Sequence, residues 1–412
     1  MMLTDQDIVC FAANHWSDIW RNRHQIMTRL ARHNRVLFVE PPPVLRHLQA
    51  VARNSSQPYR GPHLASPVDN LWVYRPPLYA PLAGRRPLAD LTFYLRRRAL
   101  RRALRQLRMR HPILWIFQYD LNEMIGHLDE KLVVYHAVDE YSAYYPSNPD
   151  QDREAWRAQV RRREADVIRH ADLVFVTSPA LYESKRALHP NIYLVPNGVD
   201  YELFSRPSAP GILPPDLADV PAPRLCYSGV INEKMDLALL LALARSHPHW
   251  HFVFVGPVAL RNGLEQLREL QRLSNTHFLG RKPVEQLPNY MHASHVCLIP
   301  YRRIEWTRNI SPLKLYEYLA TGVPIVSTAI PAVQEFSQMV WVASTPEEFA
   351  QAIDQALAAN TPERNRRQQE LAREHTWDRR VETISAIVAE HLAAPRTPHP
   401  TDLRPGKPAK AK

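Results

Sequence analysis

At 412 residues, with 45% apolar and 23% charged side chains, the chain suits two globular domains and excludes wholesale disorder. Its 11 glycines include no G-x-x-x-x-G-K-[ST] or G-x-G-x-x-G run, which excludes a long glycine-rich phosphate loop. Its net charge of +11 calls for an acidic partner: nucleic acid, an anionic membrane surface or a phosphorylated substrate.

Strand candidates in the first half are 8–13, 36–41, 71–76, 113–118, 132–138, 173–178 and 192–197. Short β-branched and aromatic runs separated by longer helix-period stretches predict a buried parallel sheet with crossover helices. The three cysteines, Cys10, Cys226 and Cys297, sit in such apolar runs without a C-x-x-C pair, so neither disulfides nor zinc are expected, and a reducing cytoplasm fits. The opening MMLTDQDIVCF has no secretory-signal pattern. The aliphatic run Leu237 to Ala244 is too short to span a bilayer, so any membrane contact is expected to be peripheral.

The proline-rich stretch 206–223 reads as a linker. A second strand series follows at 224–230, 252–257, 276–280, 296–301, 324–328 and 340–344, with helical patterns at 236–245, 264–273, 346–359 and 378–393. The expected organisation is an α/β chain with two Rossmann-like, doubly wound domains, 1–205 and 224–375, then a terminal helix over 376–394 and a disordered basic tail over 395–412. Tandem units of this kind are expected to leave a cleft between facing carboxyl ends of their sheets, which many unrelated functions share.

The segment NISPLKLYEYLATGVPIVST, from Asn309 to Thr328, carries the chemistry. Ser311 is a good N-cap, Pro312 suits the first helical position, and Gly322 closes the helix before the next strand. Lys314 opposes the helix dipole in the first turn, a poor choice unless an anion sits there. Glu317 could accept from two ribose hydroxyls. From the residues alone, an ordinary capped helix with Lys314 and Glu317 on a solvated face is an equal alternative.

Between Arg85 and Arg110 there are ten arginines and one acid, Asp90. Arg96, Arg97, Arg98, Arg101, Arg102, Arg105 and Arg108 are placed in one helix with a narrow stripe of Leu100, Leu104 and Leu107. Most charge runs are solvated faces, but these lack acids for i,i+4 pairing. An anionic bilayer is favoured as partner, with Arg96, Arg97, Arg101, Arg102 and Arg105 as its surface. Nucleic acid is disfavoured, since no base-stacking pattern accompanies the charge.

Six motifs in order, WRNRHQIMTRLARHNRVLFVEPP (20–42), LVVYHAVDEYSAY (132–144), ADLVFVTSPAL (171–181), VPNGVD (195–200), FLGRKPVEQLPNYMHASHVCLIPY (278–301) and SPLKLYEYLATGVPIVST (311–328), make the chain resemble the retaining group 1 (family 4) sugar-nucleotide glycosyltransferases, which have a GT-B fold. The resemblance runs from Asp7 to about Leu392 and is strongest to the branch containing teichuronic acid biosynthesis glycosyltransferases. It implies a nucleotide-sugar donor, a glycan or lipid-linked cell-envelope acceptor and retention by front-face attack, with no cofactor and no metal expected; the cysteines and the arginine helix add a cytoplasmic location, peripheral at the inner face of the plasma membrane. Glu317 matches the second acid of the family's E-x7-E motif, and Asn309 stands where the first acid belongs. The backbone of Ile310, Ser311 and Leu313 would cradle the diphosphate, and Gly280, Arg281 and Lys282 would lie against the base. In SGVINEKMD, Gly229 ends the first strand of the second domain, Val230 replaces the family arginine, and Lys234 stands near the family lysine. His136, with Asp139 in the following loop, falls at the family's active-site histidine; read without the family it is a strand-end histidine. Trp20, Arg23 and His24 open the first long helix, and FAANHW replaces the glycine-rich loop of many relatives. Two other readings stay open: a nucleotide-sugar epimerase of the same architecture, and a non-catalytic basic scaffold or nucleic-acid-binding module.

Overall fold

The computed structural model describes residues 2–43, 63–80, 87–145, 152–207, 211 and 213–394. The expected tail over 395–412, the arginines at 85 and 86, and positions 208–210 and 212 of the expected linker lie outside the described residues. The chain divides into two compact units, Met1–Val195 with Val381–Lys412, and Pro196–Arg380.

In the first unit the strands are β1 (Asp7–Phe11), β2 (Arg35–Val39), β3 (Leu64–Val68), β4 (Leu71–Tyr74), β5 (Ile113–Ile116), β6 (Leu132–Ala137), β7 (Leu173–Val176) and β8 (Ile192–Leu194). They form one sheet in the order β3-β4-β2-β1-β5-β6-β7-β8. All neighbours are parallel except β3 and β4, which form an antiparallel edge. The order runs outward both ways from β1, the doubly wound pattern expected of right-handed crossovers. Side chains of β1, β5, β6 and β7 are buried throughout, as both faces of a parallel sheet require.

The second unit has β9 (Arg224–Ser228), β10 (His251–Val255), β11 (Thr276–Gly280), β12 (Val296–Ile299), β13 (Ile325–Thr328) and β14 (Val340–Ala343). Their order is β11-β10-β9-β12-β13-β14, parallel throughout, so β9 and β12 adjoin at the point where strand order reverses. The ends of β9 and β10 meet through glycines. A Cβ on Gly256 would sit 2.0 Å from the carbonyl oxygen of Gly229, and both residues have positive φ, 148° and 134°. No other residue type permits that approach.

The unit boundary differs from the expected 205/206 division. Residues 196–207 pack with the second unit: Val199 N donates to His375 O at 2.9 Å, Trp377 N donates to Val199 O at 3.0 Å, and Gln369 Nε2 donates to Ser205 O at 2.9 Å. The proline-rich stretch also contributes to that unit, because Leu217 is fully buried and Asp216 pairs with Lys282 at 2.6 Å. The last helix, Trp377–Ala393, begins in the second unit, and its residues from Val381 belong to the first.

Candidate functional site

In the second unit the Asn309–Thr328 segment forms the helix Leu313–Thr321, closed by Gly322 in the left-handed region at φ 76°. Its start differs from expectation. Pro312 is the flanking residue, no side chain caps the helix, and the Ser311 hydroxyl lies 3.1 Å from the Tyr316 hydroxyl instead. The Ser311 carbonyl accepts from Asn197 Nδ2 at 2.6 Å, which fixes the entry to the helix. The first turn is thus uncapped by a side chain, and Leu315 N donates to Pro312 O at 3.1 Å.

Lys314 is 7% exposed, so it does not lie on a solvated face. Its Nζ donates to the Tyr301 hydroxyl at 2.8 Å and stands 3.7 Å from the centre of the Tyr227 ring. Burial, then repulsion from Lys234, pushes its pKa well below the ordinary lysine value. Lys234 in turn lies 4.8 Å from the Trp306 ring and 5.6 Å from that of Tyr301, so two ammonium groups approach one tyrosine. Lys314 makes no ion pair among the described residues; aromatic faces and a hydroxyl hold it instead.

Four residues on, Tyr318 accepts a hydrogen bond from Ser228 N at 2.8 Å, so Lys314 and Tyr318 clamp the end of β9 together. Glu317 is half-buried on the same helix. Burial pushes its carboxyl up to about 7, and Lys314 opposes that shift. The result is a strand-end cluster of two lysines, a helix start with no side-chain cap and a carboxyl raised to about 7, suited to a diphosphate with an attached polyol.

Of the residues expected to bind a donor, the structure brings Gly229, Lys234, Lys314 and Glu317 together. Ile310 is buried beside the helix entrance. Gly280 continues the glycine row, accepting from Gly256 N at 2.8 Å. Arg281 is exposed, whereas Lys282 is held by Asp216 at 2.6 Å and lies 5.5 Å from the Tyr290 ring, so its ammonium is already engaged. Asn309 uses its amide nitrogen to close the short helix Glu305–Arg308, donating to Glu305 O at 2.7 Å. Tyr227, Tyr301, Trp306 and Tyr318 escaped sequence reasoning. Tyr227 and Tyr301 stand inside the expected strands 224–230 and 296–301, where an aromatic residue gives no signal of a site.

In the first unit His136 lies in β6, 1% exposed, with its ring stacked 5.0 Å from that of Phe117. Burial and Arg23 push its pKa down to about 3, so at neutral pH it is an uncharged imidazole and no reservoir of protons. Asp139 accepts from the Tyr144 hydroxyl and, at 3.2 Å, from Glu140 N. The adjacent Glu140 is structural: burial raises its pKa, but Lys185 at 3.2 Å outweighs that and holds the carboxyl below its usual range. Lys185 also pairs with Glu164 at 2.8 Å.

The arginine-rich helix is Leu88–Gln106 and ends before Arg108, whose φ is 54°. Arg96 and Arg97 are not on its free face. Both are half-buried, and Arg97 lies 3.1 Å from His127 Nδ1. Arg98, Arg101, Arg102 and Arg105 are exposed, as are Leu88, Leu91 and Tyr94. Among the described residues no helix is long and apolar enough to cross a membrane, and no group of three or more His, Cys, Asp or Glu side chains is placed to hold a metal ion.

Residues 222–359 match the family described as Glycosyl transferases group 1. Over 259 residues, 60% of this chain, the sequence is 28% identical to TuaH of Bacillus subtilis (strain 168), whose name assigns it to teichuronic acid biosynthesis as a glycosyltransferase. The match spans 64% of that protein's length. Among solved structures, sucrose-phosphate synthase from Thermosynechococcus elongatus superposes with a TM-score of 0.71 at 18% identity, covering 95% of this chain and 100% of its own. HepE from Anabaena, solved in complex with UDP-glucose, gives 0.64 at 13% identity, covering 93% and 99%. At these identities the likeness establishes the fold, which is GT-B.

Proposed function

We propose, from the premise that the second unit is a group 1 glycosyltransferase domain, that the chain transfers a sugar from a nucleotide-sugar donor to a cell-envelope or exopolysaccharide acceptor. The observation that carries the proposal is the buried Lys314 ammonium, held at the end of β9 beside the uncapped first turn of helix Leu313–Thr321 and three residues before Glu317. A diphosphate there would meet cations and N–H groups, and Glu317 would accept from the ribose.

Stabilising the departing diphosphate is the main electrostatic task in such a transfer. Lys314, Lys234 and the helix end would supply it. Among the described residues the cluster supplies one carboxyl, Glu317, rather than the pair used for a covalent glycosyl intermediate, which favours front-face transfer with retention over double displacement. His136, neutral at physiological pH, would serve as a hydrogen-bonding group.

The acceptor assignment follows the name of TuaH, and a lipid-linked acceptor accords with the exposed face of helix Leu88–Gln106. Leu88, Leu91, Arg98, Arg102 and Arg105 recur at helical spacing and present apolar and cationic groups to an anionic bilayer at the cytoplasmic face.

Incubation with UDP-, GDP- and ADP-sugars, and measurement of released nucleoside diphosphate with a membrane-lipid extract as acceptor, tests the proposal. Acceptor-dependent release from one donor class is expected. Release from none, alongside intact folding, contradicts it.

A further inference from the structure

Arg23 lies in the first turn of helix Asn22–Leu30, directly after the loop that follows β1, and is 5% exposed. Its Nε and Nη1 have no hydrogen-bond acceptor. Its guanidinium carbon is 5.6 Å from the centre of the Phe117 ring, and no carboxylate pairs with it among the described residues. The same ring stacks with His136, whose Nδ1 is also buried without a partner. Because β1, β5 and β6 are neighbours in the sheet, the helix that follows β1, Phe117 just after β5 and His136 in β6 bring Arg23 and His136 to the same ring.

A purely structural role accounts poorly for this arrangement. Buried guanidinium groups are ordinarily paired, and leaving N–H donors without acceptors is costly. The ring face offsets part of the charge and satisfies neither nitrogen. A guanidinium presents parallel N–H groups that match two oxygens of a carboxylate or phosphate, and a neutral imidazole can add a third donor. Burial in a site of low polarity strengthens such bonds once formed.

We propose that Arg23 and His136 anchor an oxyanion, a phosphate or a carboxylate, carried by the sugar acceptor. Arg23 and His136 act as binding groups, each donating N–H to the anion while the Phe117 ring closes one side. The inference rests on the reading of the chain as a glycosyltransferase, and it narrows the acceptor to an anionic class.

Calorimetric titration of the full chain with inorganic phosphate, with glucuronate and with UDP tests it. For wild type, one of the two small anions binds, phosphate pointing to a phosphorylated acceptor and glucuronate to a uronic-acid one. Arg23→Met is expected to weaken that anion roughly tenfold or more while leaving UDP affinity unchanged and the melting temperature without anion no lower. Arg23→Lys, which keeps the charge and loses the fork, is expected to fall between the two and decides the matter should Arg23→Met fold poorly. Equal anion affinity in wild type and Arg23→Lys, or no binding of either anion to wild type, overturns the proposal. Arg23-dependent anion binding in a chain that binds none of UDP, GDP and ADP would instead remove the glycosyltransferase reading and leave the anion site standing.

Discussion

The Lys314 ammonium lies 2.9 Å from the point that a Cβ on Gly229 would occupy, so the end of β9 and the first turn of helix Leu313–Thr321 are fitted to each other around a buried charge. Lys314 makes no ion pair among the described residues, and Glu317, whose own carboxyl is raised to about 7, offsets the charge only in part, so burying the ammonium costs stability that an incoming anion would return. Lys314→Met is therefore expected to leave the free protein as stable as wild type, or up to about 2 kcal/mol more stable, in urea denaturation. A clear loss of stability would mean that the lysine serves the fold.

Glu317 gives a pH signature. Its carboxyl titrates at about 7 in the folded chain against 4.5 for the ordinary group, so the folded state binds the proton more tightly. The stability it contributes is complete below the ordinary value and is lost as pH rises through about 7. The difference in melting temperature between wild type and Glu317→Gln should accordingly fall between pH 4.5 and 7 and level off above. A difference that is flat across that window would contradict the burial of the carboxyl.

Donor binding should take up protons. A diphosphate favours the charged form of Lys314, which is depressed in the free protein, and raises Glu317 further; both changes have the same sign. Titrations with a nucleoside diphosphate at pH 8, in buffers of different ionisation enthalpy, are expected to show net uptake. Net release would place the anion elsewhere.

The exposed face of helix Leu88–Gln106 predicts vesicle binding that depends on lipid charge. Flotation with anionic but not neutral vesicles is expected, and charge reversal at Arg98, Arg102 and Arg105 should abolish it. Replacing half-buried Arg96 should have little effect on flotation. Equal binding to both vesicle types would remove the membrane reading.

The strands were legible because each is a short β-branched or aromatic run, although most were expected to extend beyond their carboxyl ends. The expected ends took in polar residues and prolines that lie past the paired segment, as Glu40 and Pro41 after Val39 and Arg75 and Pro76 after Tyr74. Strand β3, LASPV, escaped notice because it contains a proline and is an exposed edge paired antiparallel to β4. The helix Pro362–Arg373 was hidden by its polar composition, despite the Thr361 cap and Pro362 start that announce it. In the site, Lys314 could be singled out from sequence because it opposes a helix dipole. Its partners Tyr227 and Tyr301 could not, since their meeting depends on β9 and β12 being sheet neighbours. Arg23 could be placed at the start of the first long helix, but not in the interior: arginine near a helix start ordinarily faces water, whereas eight of this helix's nine residues are buried.

The account's central claim is a donor site in the second unit centred on Lys314 and Glu317. It is tested most directly by calorimetric titration of wild type, Lys314→Met and Glu317→Ala with UDP, GDP and ADP. Binding of one nucleotide to wild type is expected, weakened at least tenfold, about 1.4 kcal/mol, in each variant. Equal affinity in all three proteins, or no binding of any nucleotide to wild type, would contradict it.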